Sequence, residues 1–163
     1  MQIEQSPVEP INAEDEPAVL ALNNIHATEL SWLEPERLAH LRSEAFVAAR
    51  IGRLDAFMIA FDQDADYDSP NFLWFRQRYK RFAYVDRIAV AEHARGRSLA
   101  RRLYEDLFAR ARSRSYPVVT CEVNLDPPNP ASDAFHLALG FEDTGFSAVH
   151  AGIKTVRYYV RRL

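Results

Sequence analysis

The sequence predicts an α/β fold in which one mixed sheet carries helices on its faces. Two kinds of local pattern lead to this fold class. Compact apolar runs bounded by turn residues are typical of strands, and amphipathic stretches with clear end signals are typical of helices. These elements follow one another as helices, three strands, a helix, a strand, a helix and two strands. Such an order indicates a single sheet covered by helices.

The N-terminal part is predicted to begin irregularly and then become helical. Its first dozen residues are polar and include Pro7 and Pro10, which fits either a short edge strand or loose chain. A helix is predicted from about Asn12, an N-cap residue followed by acidic residues that the helix dipole favours. A second short helix, Pro35–Arg42, follows a bend at residues 31–33.

The middle of the chain is predicted to form a hairpin, a loop and a third strand. The apolar runs Ala45–Ile51 and Ala56–Phe61 read as strands joined by the turn Gly52–Asp55. The polar stretch Asp62–Arg81 reads as a loop, and a loop of this length in a compact domain is usually functional. The next strand is Phe82–Val90.

The C-terminal half is predicted to hold two helices and three strands. Leucines spaced four apart indicate the helix Ser98–Arg114, and Pro117–Val123 follows it as a strand. The helix Asn129–Leu139 has an asparagine N-cap, a proline in its first turn and a glycine just past its end. The last two strands are Phe141–His150 and Ile153–Arg161.

Composition limits the classes of function. The 163 residues are predicted to form one domain, residues 1–163. A net charge of -3 argues against sequence-independent nucleic-acid binding, and Cys121, the single cysteine, cannot form an internal disulfide. No apolar run reaches the roughly 20 residues that span a bilayer, and the acidic N-terminus lacks the features of a signal peptide. We therefore expect a cytoplasmic protein with no membrane or nucleic-acid partner.

No metal site is expected from the sequence. The alternating aspartates of residues 62–68 are similar to a calcium loop, but Tyr67 and Leu73 occupy the positions that need glycine and glutamate. The histidines lack zinc-ligand spacing, and one cysteine is too few for a structural zinc site.

The strand ending at Val90 runs through a short loop into a helix start rich in arginine. Exposed backbone N–H groups and the positive end of the helix dipole make such a junction an anion site. Arg95, Arg97, Arg101 and Arg102 repel one another there and oppose the dipole, a conflict that a bound polyphosphate would relieve. The alternative is a solvated basic face with Arg101 and Arg102 pointing outward.

Two motifs resemble those of the GCN5-related N-acetyltransferase (GNAT) superfamily, as in a bacterial subgroup of predicted acetyltransferases. The stretch 95–100, Arg-Gly-Arg-Ser-Leu-Ala, is similar to the family's pyrophosphate loop, with Ser98 where glycine is usual. The stretch 129–141 keeps the family's asparagine at its start and its glycine-phenylalanine pair at its end. There Ser132 replaces alanine and His136 replaces tyrosine.

The resemblance implies a GNAT fold and an acetyl-CoA site without a metal. The implied fold is a twisted, mostly antiparallel sheet of about seven strands, flanked by about four helices and splayed between the fourth and fifth strands. Dimerisation is common in the family, so a homodimer is one implied assembly. The implied coenzyme-binding residues are Ile88, Ala89, Val90, Arg95, Gly96, Arg97, Ser98, Leu99, Ala100, Arg101, Asn129, Ser132 and His136.

Acetyl transfer to an amine needs an acid for the leaving thiolate and a base for the amine. By its position in the resembling motif His136 is the candidate acid, because an imidazolium could protonate a thiolate; alternatives are a packed histidine, Ser132 or water. Candidate bases are Glu122, Glu29 and Asp86. Glu122 could also face solvent and Asp86 could pair with an arginine, and a water chain could replace a single base.

The acceptor site is expected beside the aspartate-rich stretch. Trp32, Tyr67, Phe72 and Trp74 are candidates for an aromatic lining, with nearby carboxylates attracting a cationic amine. The alternative is a set of core aromatics beside a solvated acidic loop. The expected function is transfer of acetyl from acetyl-CoA to a small-molecule or peptide amine, and the alternative is a non-catalytic acyl-CoA-binding module of the same fold.

Overall fold

The computed structural model describes residues 5–163 and shows a mixed sheet with helices on both faces. Residues 1–4, the start of the predicted polar segment, lie outside the described residues. Seven strands form the sheet over the described range, in the spatial order β1-β2-β3-β4-β5-β7-β6. The strands are β1 (Val8–Pro10), β2 (Val47–Ile51), β3 (Ala56–Asp62), β4 (Ala83–Val90), β5 (Val118–Asp126), β6 (Glu142–Val149) and β7 (Lys154–Arg162).

Six α-helices occur between residues 5 and 163, together with two short 3-10 turns at Ala13–Asp15 and Glu92–Ala94. The α-helices are α1 (Glu16–Ile25), α2 (Ala27–Leu30), α3 (Pro35–Glu44), α4 (Pro70–Arg76), α5 (Leu99–Ser113) and α6 (Pro130–Ala138). The four predicted helices correspond to α1, α3, α5 and α6. The two additional helices, α2 and α4, are short.

The prediction that Asp62–Arg81 is a loop is wrong for Pro70–Arg76, which form α4. The cause is tertiary packing, because Phe72 and Phe75 are both fully buried against the sheet. A helix of this length is marginal by itself in water, so its stability comes from the apolar face that it buries.

The predicted splay of the sheet is confirmed. All neighbouring strands pair antiparallel except β4 and β5, which run parallel. These two strands pair only at Ala83 with Val119 and at Tyr84 with Thr120. Beyond this point the strands of the described chain diverge, so β4 from Val85 onward presents an open edge to a gap.

A bulge shapes β4 beside this gap. Ile59 of β3 pairs with Arg87, and the next residue, Ala60, pairs with Val85, so Asp86 is the additional residue. A bulge bends its strand and re-aims the side chains that follow it. Arg87 consequently lies on the same face as Tyr84 and donates to Asn23 of α1 at 2.9 Å.

Candidate functional site

A cavity of about 1110 Å³ occupies the gap between β4 and β5. Thirteen of the residues predicted from the sequence line it. These are Glu29, Trp32, Tyr67, Asp86, Ile88, Ala89, Val90, Arg95, Gly96, Glu122, Asn129, Ser132 and His136. The remaining predicted residues lie outside the cavity lining: Phe72, Trp74, Arg97, Ser98, Leu99, Ala100 and Arg101.

The loop of residues 95–100 turns β4 into α5 through two left-handed residues. Gly96 has φ +76°, and Ser98, the N-cap of α5, has φ 59° and makes no side-chain cap hydrogen bond. A left-handed conformation costs a residue with a side chain roughly 1–2 kcal/mol, which explains why glycine suits position 98. The loop is exposed and its helix start directs backbone N–H groups outward, as an anion site requires.

Asp55 in the β2–β3 turn bonds to this loop and to the residues just before it. Its Oδ1 lies 3.0 Å from His93 Nε2, its Oδ2 accepts from Arg97 Nη1 at 3.2 Å, and its carbonyl accepts from Ala91 N at 2.8 Å. The hydrogen bond from His93, followed by that from Arg97, lowers the pKa of Asp55. The loop is therefore anchored by its own basic side chains.

The predicted arginine cluster is divided among different partners. Arg97 pairs with Asp55, and Arg102 donates to the carbonyl of Ser6 at 2.6 Å. Arg101 lies in a separate groove with Arg112 and Arg161. Of the arginines at the loop, Arg95 is the one that lines the main cavity, and Gly96 beside it is the other residue of 95–100 that does.

Glu122 of β5 turns its carboxylate into the cavity. Oε1 accepts hydrogen bonds from the Tyr84 hydroxyl at 2.9 Å and from Asn71 Nδ2 at 3.1 Å. Oε2 is buried and has no hydrogen-bond partner among the described residues. An unpaired buried acceptor is costly and therefore rare in native proteins, and a catalytic role is one of the explanations for it.

Burial raises the pKa of Glu122 to about 8, and the negative charge of Asp86 adds to this effect. The hydrogen bonds from Tyr84 and Asn71 act in the opposite direction. A carboxyl group with a pKa near neutrality is matched to general acid–base chemistry. The predicted alternative, a solvent-facing Glu122, is wrong.

The two other candidate bases occupy different settings. Asp86 forms a buried ion pair with Arg87 at 2.7 Å and accepts a hydrogen bond from the Tyr67 hydroxyl. The predicted alternative that Asp86 pairs with an arginine is confirmed. Glu29 lies on α2 at the cavity rim and is exposed.

His136 of α6 is buried against α5, and both of its ring nitrogens lie within hydrogen-bond distance of a partner. Nδ1 lies 2.7 Å from the Ser132 carbonyl, which can only accept, so Nδ1 carries a proton. Nε2 lies 2.7 Å from the Tyr104 hydroxyl and accepts from it in the neutral ring. Burial lowers the pKa of His136, which disfavours the imidazolium that the predicted acid role requires.

Tyr104 of α5 is a cavity residue that the sequence did not reveal. It sits among the leucines of an amphipathic helix and therefore has the pattern of a core residue. Asn71 and Tyr158 were not predicted either, because the bonds from Tyr158 to Asn71 and from Asn71 to Glu122 join parts of the chain that are far apart in sequence.

The predicted aromatic lining separates into two groups. Trp32 is 64% exposed at the mouth of the cavity, and Tyr67 lines its wall. Phe72 is fully buried among core aromatics, and Trp74 stacks on Tyr158 with ring centroids 4.1 Å apart. For Phe72 the core alternative is the correct one.

The described residues form neither a membrane-spanning helix nor a metal-binding cluster. Among residues 5–163 no helix has both the length and the apolar character to cross a bilayer. Within the same range no three or more His, Cys, Asp or Glu side chains cluster in a way that could hold a metal ion.

Solved structures share this fold across nearly the whole chain. Ard1 from Thermoplasma volcanium superposes with a TM-score of 0.77 at 15% identity, covering 97% of this chain and 97% of its own. The ribosomal-protein-S18-alanine N-acetyltransferase from Escherichia coli gives a TM-score of 0.70 at 17% identity, covering 96% and 93%. The ribosomal-protein-alanine N-acetyltransferase from Brucella melitensis gives 0.71 at 21% identity, covering 96% and 99%.

The family is shown by the sequence itself. No curated protein sequence matches the chain. The model of the acetyltransferase (GNAT) family matches residues 12–141, most of the chain, including both motifs and every strand from β2 to β5. The chain therefore belongs to the GNAT acetyltransferase family, whose members are acyl-CoA-dependent N-acetyltransferases.

Proposed function

We propose that this protein transfers an acetyl group from acetyl-CoA to a primary amine by direct attack on the thioester, with Glu122 as the general base. The observation that carries the proposal is the buried and unpaired Oε2 of Glu122 in the gap between β4 and β5. An acceptor amine is the kind of hydrogen-bond donor that this oxygen lacks. The acceptor is a small amine, an amino acid, or a lysine or N-terminus of a peptide.

The described residues fit the donor. Acetyl-CoA supplies the activated acyl group as a thioester. The open edge of β4 at Ile88 and Val90 offers main-chain groups to its pantetheine amides, as in strand addition. An N–H near Ala89 or Val90 would polarise the thioester carbonyl. The loop from Arg95 and the start of α5 would bind the pyrophosphate.

The cavity side chains limit which groups can take up and release protons in the reaction. Glu122 Oε2 takes one proton of the acceptor ammonium, the free amine forms the new C–N bond, and the C–S bond breaks as the nitrogen gives up a second proton to water. The departing thiolate then needs a proton. Neutral His136 has its one N–H bound to the Ser132 carbonyl, so we assign this proton to water, either directly or through the Ser132 hydroxyl, which lies 3.3 Å from His136 Nδ1 and would regain a proton from water as it gives one up.

The same observation on His136 favours a second candidate function. A non-catalytic acyl-CoA-binding module would need the loop and the open strand edge but no acid at position 136. Such a module would bind acetyl-CoA and would not turn it over.

The test is E122Q, assayed with a panel of primary amines and titrated calorimetrically with acetyl-CoA. We expect wild-type turnover to rise with pH through about pH 8, because Glu122 must be ionised to act as a base. E122Q is expected to lose roughly 100-fold to 10,000-fold in kcat and to keep its affinity for acetyl-CoA.

The matched control is Glu29→Gln, which removes a carboxylate from the rim of the same cavity. Equal losses in E122Q and Glu29→Gln would contradict a specific role for Glu122. Tight acetyl-CoA binding by wild type without turnover of any amine would favour the non-catalytic module.

A further inference from the structure

The two carboxylate oxygens of Glu122 are not equivalent. Tyr84 and Asn71 both donate to Oε1, at 2.9 Å and 3.1 Å, while Oε2 has no partner among residues 5–163. The lone pairs of Oε1 are therefore occupied by two donors. Proton exchange with an acceptor amine is left to Oε2, provided that both donors stay in place.

The Asn71 donor depends on a third residue. Asn71 Oδ1 accepts a hydrogen bond from the Tyr158 hydroxyl at 2.9 Å. An amide can rotate by half a turn with little change of shape, exchanging its oxygen and its nitrogen. With Tyr158 donating, the oxygen must face Tyr158, and Nδ2 must face Glu122. A flipped amide would place its oxygen against the carboxylate and repel the ionised form.

Tyr158 is itself fixed by packing and lies outside the cavity lining. It pairs with Glu122 across β5 and β7, is 1% exposed, and stacks on Trp74 of α4. Phe75 of the same helix packs edge-on against its ring, with centroids 5.2 Å apart. The position of the Tyr158 hydroxyl is therefore fixed, and its hydrogen bond to Asn71 links it to Glu122.

We propose that Tyr158, acting through the side-chain amide of Asn71, is a positioning residue that keeps Glu122 Oε2 directed at the acceptor amine. This inference rests on the proposed role of Glu122 as the general base. The short helix α4 has a structural part in this role, because α4 supplies Asn71 and packs Trp74 and Phe75 on Tyr158.

The expected signature is a change in the pH dependence of turnover. Both hydrogen bonds to Oε1 favour the ionised carboxylate, so losing the Asn71 donor raises the pH at which Glu122 ionises. The groups that face or surround this carboxyl are Tyr84 and Asp86 with its partner Arg87 on β4, Tyr67 before α4, Tyr158 on β7, Tyr104 on α5, and Glu29 and His26 at the rim. Substitution of Asn71 removes none of these groups, and Tyr158→Phe removes only the Tyr158 hydroxyl.

The experiment is a double-mutant cycle with Tyr158→Phe, Asn71→Leu and the double variant, each measured as kcat against pH. Asn71→Leu is expected to move the inflection upward by roughly one pH unit, since hydrogen bonds to charged groups are worth about that much. Tyr158→Phe should move it in the same direction and by less. The double variant should match Asn71→Leu, because Tyr158 acts through Asn71.

Tyr116→Phe is the matched control. Tyr116 is also buried, and its hydroxyl also donates to a side chain, Asp62 at 2.8 Å, far from Glu122. It should leave the inflection where it is in wild type. Melting temperature and acetyl-CoA affinity, measured for every variant, separate a loss of fold from a loss of positioning.

Different results would overturn the positioning role of Tyr158 and the general-base role of Glu122. An unchanged inflection in both Tyr158→Phe and Asn71→Leu, or fully additive shifts, would overturn the positioning role while E122Q remained inactive. If Tyr158→Phe does not fold, Asn71→Leu can still overturn the proposal, because an unchanged inflection in that variant would show that the Asn71 link does not act on Glu122. Wild-type turnover by E122Q would instead remove the base, and with it the proposed function.

Discussion

The loop at residues 95–100, which reaches the cavity at Arg95 and Gly96, and the pocket around Glu122 are built in opposite ways. The loop is contiguous in sequence, exposed, and anchored by the charged contacts of Asp55. The Glu122 pocket joins α4, β4, β5 and β7 through hydrogen bonds in a buried setting. A polyphosphate can be held in contact with water by backbone N–H groups, whereas tuning the pKa of one carboxyl requires burial.

The largest effect should come from reversing charge at the loop. Arg95→Glu combined with Ser98→Glu places two negative charges where the pyrophosphate would bind. Acetyl-CoA affinity measured by calorimetry is expected to fall at least about 100-fold, consistent with losing charge-assisted hydrogen bonds and adding repulsion. E122Q should show no such loss, which keeps the two regions separable.

A control for this variant lies at the other end of α5. Arg112→Glu with Ser113→Glu makes the same change of charge at exposed positions away from the cavity. Equal weakening by both pairs would mean that overall charge, and not the loop, governs affinity. The interpretation of residues 95–100 would then fail.

A smaller effect is expected in the pH dependence of protein stability, and it comes from Glu122. Its pKa in the folded chain, about 8, lies above its ordinary value of 4.5. Between these values the folded state keeps a proton that the unfolded state has released, so stability falls as pH rises through this window. The advantage of E122Q over wild type should grow with pH across the same window, by about 1.4 kcal/mol for each pH unit.

Urea unfolding of both proteins at acid, neutral and alkaline pH measures this difference. Above about pH 8 the difference should level off, because Glu122 is then ionised in both states. A stability difference that stayed constant over the whole range would show that the Glu122 carboxyl has an ordinary pKa.

The smallest effect is expected at Ser98. Glycine relieves the left-handed strain at φ 59° but increases the freedom of the unfolded chain. Ser98→Gly should therefore stabilise the protein by about 0.5–1 kcal/mol, while Ser98→Val should destabilise it by more, since a β-branched residue is poorly suited to this conformation. Urea midpoints compare the three proteins, and a more stable valine variant would contradict the assigned backbone geometry.

Local signals explain why much of the fold was predictable from the sequence. The leucine spacing of α5, the asparagine and proline that open α6, and the apolar runs of β2 and β3 are all contained within single elements. The loop between β4 and α5 was predictable for the same reason, since its residues are contiguous.

The parts that could not be predicted depend on tertiary contacts. Helix α4 exists because Phe72 and Phe75 are buried, which no local pattern in a polar stretch indicates. The alternation of side chains along β5 does not decide whether Glu122 faces the cavity or solvent. Its contact with Asn71 joins residues that are 51 positions apart. The role predicted for His136 required an imidazolium, and only its burial in the fold shows why that form is disfavoured.

The short pairing between β4 and β5 has a consequence for hydrogen exchange. The two strands share only two paired positions within the described chain, so amides on the open edge of β4 between Val85 and Val90 have no ladder to protect them. A donor whose amides pair with this edge would complete the ladder and slow their exchange with deuterium. Protection at these few amides would then report occupancy of the gap directly, whichever acyl group or acceptor is present.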